Sequence, residues 1–349
     1  MIDSLTGALG LSMHDASFWM PLVMVALLFA IVVAGVVLDG FDIGVGCLLP
    51  FAPADLQHRM LSLLSPWRDA NEFWLFLGLG LLISAFPHAA GPIMGALYLP
   101  LSVLAVGVLL RSASFELRLR APKEWQRFGS TGFAIGSWLT ALSHGLILSK
   151  VATSYASGVE YAGLGVFFAF CALAAYGLLG STWLIMRDTG ELRTRAVLWS
   201  RRRVRWVAAG VVAVSLILVL ANTGVFLKWG ALPDRLTVAT VWGVLLACFI
   251  ALEMMLQRML HSSPRTTAAP FLLVLLIFFI VLSGLAYSFF PYLILDDVTI
   301  WDAVASIPSL QLVLSATIVA LPVAIIFNVS VYWRMFGLSR PPEPPPFSG

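Results

Sequence analysis

Asp39 and Asp42 stand three residues apart in the run Leu38-Asp39-Gly40-Phe41-Asp42-Ile43-Gly44-Val45-Gly46, which follows about twenty apolar residues. On a helix that spacing puts both carboxylates on one face. An ionised group at the centre of a bilayer costs at least about 2–3 kcal/mol on insertion scales. A chain keeps such a group only where it is compensated or used. The chemistries open to the pair are a proton relay, an ion site, or a pairing with an arginine. The competing reading is a helix end at the cytoplasmic interface, with both acids in headgroup water. Gly40, Gly44 and Gly46 leave the region free of bulk and admit close approach of another helix.

A second acidic pair, Asp69 and Glu72, opens the next apolar run with the same spacing. Asp69 at a helix start with Glu72 three residues on also fits a capping box. Arg111 follows Val108-Leu109-Leu110 at the end of a third run. It is the obvious counter-charge for these acids, unless it snorkels to headgroups. Glu116 follows five residues later, beside Phe115.

The elements that must position these residues are membrane helices. Of 349 residues, 60% are hydrophobic and 11% charged. A soluble domain carries about 25% charged residues. Mean hydropathy is +0.94. Several runs approach twenty residues, enough to cross a hydrocarbon core of about 30 Å. The short alternating segments of a β-barrel are not seen. The N-terminus lacks a basic region followed by an early apolar stretch, so no cleavable signal peptide is expected.

The spacing predicts an all-α membrane protein of nine spans: Phe18–Gly46, Ala70–Phe86, Met94–Leu110, Phe128–Leu148, Ala162–Met186, Val204–Ala221, Leu236–Leu256, Phe271–Leu293 and Leu310–Phe336. With these spans, 18 of the 21 basic residues fall on one side, and only Lys150, Lys228 and Arg235 on the other. By the positive-inside rule the N-terminus is then periplasmic and the C-terminus cytoplasmic. Residues 1–340 read as one transmembrane domain and 341–349 as a Pro-rich cytoplasmic tail. The acidic residues of the first two runs and Arg111 fall at one level, near the cytoplasmic side.

Other chemistries find little support. No Walker A loop, GxGxxG after a strand, GxSxG or HExxH is present. Cys47, Cys171 and Cys248 form no CxxC, so neither disulfides nor thiolate metal sites are expected. No two histidines have a spacing that binds one metal or haem from one helix, and a lone helical His144 reads as a hydrogen-bonded interior residue. Trp301 and Trp333 read as interfacial aromatics. The net charge of +3 sets orientation and does not suggest nucleic acid.

The run Asp39 to Gly46 resembles the DGFD-x-G-x-G signature of subunit II of cytochrome bd-type quinol oxidases. Further landmarks follow in that family's order. Asp69-Ala70-Asn71-Glu72-Phe73-Trp74-Leu75 is similar to its helix-two motif, and Arg111 to Arg118 is similar to R-x-x-x-F-(D/E)-x-R. Gly190-Glu191-Leu192, Trp301-Asp302-Ala303 and Tyr332 to Gly337 also fit. Leu97 to Pro100 and Phe115-Glu116 resemble the cyanide-insensitive branch, whereas Glu72 does not. In one departure, Arg68 replaces the family tryptophan before Asp69, and Ala70 replaces the glycine after it. Arg68 is a cation beside Asp69 and works against proton uptake there.

The resemblance implies two four-helix bundles plus one peripheral helix in the bacterial inner membrane. It implies a non-haem subunit of a ubiquinol:O2 oxidoreductase, paired with a haem-bearing subunit I. That partner would hold three haems, two b and one d or all b, and no haem would be ligated here. A quinol, ubiquinol or another, would be the substrate, and lipids and small single-helix subunits are further partners it allows. Asp42, Asp69, Arg111 and Glu116 match family polar positions near the interface with subunit I, and Glu72 and Asp39 lie beside them. Their role would be proton delivery and assembly. The alternative from another class is a proton- or cation-coupled secondary transporter, which would place its acids on broken helices near the midplane.

Overall fold

The first apolar run forms a helix far longer than a bilayer needs. The computed structural model describes residues 6–7, 9–64, 68–120, 122–232, 234–261 and 267–338, without the side chains of 68–70, 119, 123 and 332–338. Helix α1 spans Ala16–Leu48, 33 residues, or about 50 Å at 1.5 Å per residue. A 3-10 turn (Leu49–Phe51) and the short α2 (Ala54–Ser62) follow, then α3 (Arg68–Ala85), α4 (Pro87–Ala96) and α5 (Tyr98–Arg120). Next come α6 (Lys123–Ala152), α7 (Val159–Arg187), α8 (Glu191–Ala221), α9 (Thr223–Gly230), α10 (Asp234–His261) and α11 (Ala269–Phe289). A two-stranded hairpin, β1 (Tyr292–Ile294) and β2 (Val298–Thr299), leads through α12 (Ile300–Ala303) to α13 (Ile307–Leu338).

Each predicted apolar run is mainly helical among the described residues, but the eighth ends at Phe289, and Tyr292 and Leu293 belong to β1. Eight helices are long and apolar enough to cross a membrane, and the apolar part of α3, Asn71–Ala85, is shorter. The chain is therefore an all-α membrane protein with eight candidate spans by length and composition. The third run differs from its expected start. Met94 belongs to the separate α4, which ends at Ala96, and α5 restarts at Tyr98 because Pro100 in its first turn cannot continue a helix through the Ala96 carbonyl. The same helix continues nine residues past Arg111 before Pro122 ends it.

Helix α1 is the centre of the packing. It lies against α7, α3 and α6, while α5 runs along α6 and α7 also packs on α8. Helices α10 and α11 pack on each other, α10 also on α8 and α11 on α7. Helix α13 touches α3 and α1. The largest core cluster joins Phe41 of α1 to Trp183 of α7 and Phe271 of α11. Phe41 stacks on Trp183 at 4.2 Å between ring centroids.

Two residues of the sparsely basic side have specific partners. Lys228 Nζ donates to the carbonyls of Tyr287 (2.6 Å) and Phe290 (2.8 Å), closing the C-terminal end of α11. The burial that accompanies these bonds lowers its pKa. Trp301 is not a free interfacial ring. Its Nε1–H donates to the Phe18 carbonyl at 3.1 Å and its ring stacks on Phe18. Trp301→Phe keeps the stacking and removes the hydrogen bond. It should destabilise the fold by about 1 kcal/mol, read as a lower thermal midpoint of the purified complex.

Candidate functional site

The glycines of the Asp39–Gly46 run set where the acids sit. A Cβ on Gly44 would meet the Tyr176 carbonyl oxygen and, at 2.7 Å, the Gly180 nitrogen. Helices α1 and α7 thus cross backbone on backbone, which only a glycine on each side permits. Gly40 seats the Tyr176 ring and Leu179, both 2.9 Å from the position of its missing Cβ. With α7 held there, Phe41 points into the apolar core and Asp39 and Asp42 turn toward α3 and α5. Helix α5 is brought in the same way, because a Cβ on Gly136 of α6 would lie 2.6 Å from the Arg111 nitrogen.

Arg111 is fully buried. Its Nη2 donates to Asp39 Oδ1 at 2.6 Å and to Glu72 Oε1 at 3.1 Å. The Ser112 hydroxyl reaches both Glu72 oxygens, at 3.0 and 2.9 Å. The Asn71 amide donates to Asp42 Oδ2 at 2.8 Å. Asp39, Asp42 and Asn71 are buried. Arg111 Nε and Nη1 are also buried and have no partner among the described residues. Among the described side chains, one guanidinium from α5 thus faces three carboxylates from two helices, Asp39 and Asp42 of α1 and Glu72 of α3, with two of its donor groups left for further acceptors.

The arrangement bears on four of the expectations. Headgroup water does not hold these acids, since Asp42 is 0% exposed. Of the two acids that an arginine was expected to pair with, Asp39 is bonded directly by Arg111, whereas Asp42 accepts from Asn71. The Glu72 oxygens engage Arg111 and Ser112, while the capping-box reading of Asp69 falls on a side chain outside the described residues. Glu116 lies outside the cluster and pairs with Arg120 one turn on, at 2.8 Å, with 44% of its side chain exposed. Five residues after Arg111 is about 140° around the helix and about 7.5 Å further along. The side chain of Asp69 lies outside the described residues, although its backbone is in the first turn of α3.

Asn71 and Ser112 were the partners not singled out in the sequence. Neither carries a charge, and their only signal is adjacency to Glu72 and Arg111. His144 is a hydrogen-bonded interior residue as expected, with Nδ1 2.8 Å from the Tyr176 hydroxyl. That bond orients the ring on which Gly40 packs.

The family model for cytochrome bd terminal oxidase subunit II matches residues 20–335. Cytochrome bd-I ubiquinol oxidase subunit 2 of Escherichia coli (strain K12) is 25% identical, over 86% of this chain and 90% of its own. Cytochrome bd ubiquinol oxidase subunit 2 of Bacillus subtilis (strain 168) is 29% identical, over 68% of this chain and 71% of its own. A chain of the bd oxidase of Geobacillus thermodenitrificans has the same fold, with a TM-score of 0.75 at 14% identity, covering 92% of this chain and 99% of that one. These matches favour the oxidase over the transporter. The chain belongs to the cytochrome bd terminal oxidase subunit II family and is a multi-pass subunit of a bd-type oxidase of the bacterial inner membrane.

Proposed function

We propose that this chain is the haem-free subunit II of a quinol:O2 oxidoreductase, which reduces O2 to water with protons drawn from the cytoplasm. Subunit I, its partner, holds the haems, two b and one d or three b. The Asp39–Asp42–Glu72–Arg111 cluster gives those protons a polar route and holds the face toward subunit I. The observation that carries this reading is the buried Arg111 shared between Asp39 and Glu72. Among the described side chains, three carboxylates share one guanidinium, more negative charge than it can neutralise in a low dielectric. Such a cluster is therefore suited to taking up and passing on a proton. Asp69, in the first turn of α3, and the half-exposed Glu116 stand at its cytoplasmic approach. The helix contacts support two four-helix bundles (α1, α3, α5, α6 and α7, α8, α10, α11) with α13 peripheral. The charge distribution supports an N-terminus outside and a C-terminus inside.

No haem ligand set is proposed in this chain. His144, the histidine well inside a span, gives Nδ1 to Tyr176 and packs against that ring at 5.5 Å. Every proton-handling step is accordingly assigned to acids and their partners.

The test is purification of the complex with Asp42→Asn or Asp69→Asn in this subunit. Asp42→Asn keeps the shape and removes the exchangeable proton, so quinol oxidase turnover should fall by about 10-fold or more at unchanged haem content. Wild-type turnover and haem content in both variants would sink the proton role. A parallel loss of haem would assign the residue to assembly instead.

A further inference from the structure

The cytoplasmic half of α10 carries a feature that the oxidase reading does not use. Leu246, Ile250 and Met254 are 60%, 51% and 49% exposed and follow one another at four-residue spacing. Spacing of that kind makes a continuous stripe along one helix face. The stripe runs directly into a shallow groove of about 290 Å3 lined by Met254, Gln257, Arg258 and His261. An apolar track thus ends in a polar, basic mouth at the end of a membrane helix.

The charge around that mouth is positive. Glu253, one turn before Gln257, accepts from Arg205 at 3.0 Å and Arg201 at 3.4 Å, both on α8. One carboxylate therefore answers two guanidinium groups. Arg205 keeps 71% of its side chain exposed. Arg258 lines the groove, is exposed and has no ion pair among the described residues. His261 Nδ1 lies 3.0 Å from the Gln257 carbonyl, which leaves Nε2 for another partner.

We propose that this face of α10 is a binding site for one anionic phospholipid. An acyl chain lies along Leu246, Ile250 and Met254. The phosphodiester sits at Arg258 and His261, with Arg205 adding charge from α8. The shape argues for a lipid over free phosphate, because free phosphate has no use for an exposed apolar stripe about two turns long. Basic pockets between membrane helices at the level of the headgroups are where anionic headgroups are held. Trp206, 72% exposed on α8 beside Arg205, adds an aromatic at the same level.

The experiment uses the delipidated subunit I–II complex in detergent, titrated with dioleoyl-phosphatidylglycerol or dioleoyl-phosphatidylcholine and read by native mass spectrometry. The wild type should retain one phosphatidylglycerol and no phosphatidylcholine, with 10 mM inorganic phosphate unable to displace it. Arg258→Gln should weaken retention about fivefold, and Arg258→Gln with His261→Gln should abolish the discrete bound species. The control Arg195→Gln, in an exposed pair with Glu191, should leave it unchanged. Equal retention of both lipids, wild-type retention in the double variant, or displacement by phosphate would each overturn the proposal. Oxidase turnover of the double variant in lipid-free detergent should match wild type, which separates failure of this site from failure of the proton route.

Discussion

Arg111→Met should prevent accumulation of the assembled oxidase. The substitution leaves Asp39 and Glu72 facing each other across α1 and α3 with their shared guanidinium gone, in a site from which Arg111 itself excludes solvent. Removing one partner of a buried ion pair costs about 3–5 kcal/mol, because the remaining charge is left uncompensated. Here two carboxylates lose the same partner, and the cost approaches the whole stability of many domains. The measurement is complex yield and haem per complex after expression with subunit I. Arg111→Lys is the informative companion. Lysine keeps the charge but not the planar fork that reaches two carboxylates at once, so assembly should be partly restored. Wild-type yield from Arg111→Met would mean that the buried cluster is not what holds α1, α3 and α5 together.

Gly44→Ala is expected to be nearly as damaging, for a reason unrelated to charge. The added methyl would enter the Tyr176 carbonyl oxygen and the Gly180 backbone. Neither is a flexible side-chain tip that can swing away, so α1 and α7 must separate. Separation undoes the Phe41–Trp183 stacking at 4.2 Å and displaces Asp39 from Arg111. Overpacking of this kind costs about 1–3 kcal/mol or more. Gly44→Ala should therefore lower both complex yield and thermal midpoint, whereas Gly80→Ala, which meets no atom within 4 Å, should leave both unchanged.

These two residues also mark what could and could not be read from the chain alone. The helices were legible because unbroken apolar runs near twenty residues have few other interpretations. The level of the acids and of Arg111 was legible from the alternation of basic loops. What pairs with what was not. Choosing Asp39 over Asp42 for Arg111 requires the rotation of α1 about its axis, and that is set by the Gly44–Gly180 crossing between residues 136 positions apart. Asn71 was overlooked because an amide does not stand out among charges, though it donates to Asp42. Glu116 shares a family motif with Arg111, but a motif does not record the turn of the helix that separates their side chains. The break before α5 was overlooked because α4 is apolar too, and hydropathy does not register a short helix ended by Leu97.

The bond from Trp301 to the Phe18 carbonyl joins residues 283 positions apart. At about 5–20 residues per second of synthesis, the ribosome needs roughly 15–60 s to deliver the donor after the acceptor has emerged. During that interval α1 is already in the bilayer with its Phe18 carbonyl still awaiting Trp301. The subunit therefore has a built-in order of completion: its first helix is locked by nearly its last segment. A chain truncated just before Trp301 would contain every member of the Arg111 cluster and still lack the clasp on the helix that carries Asp39.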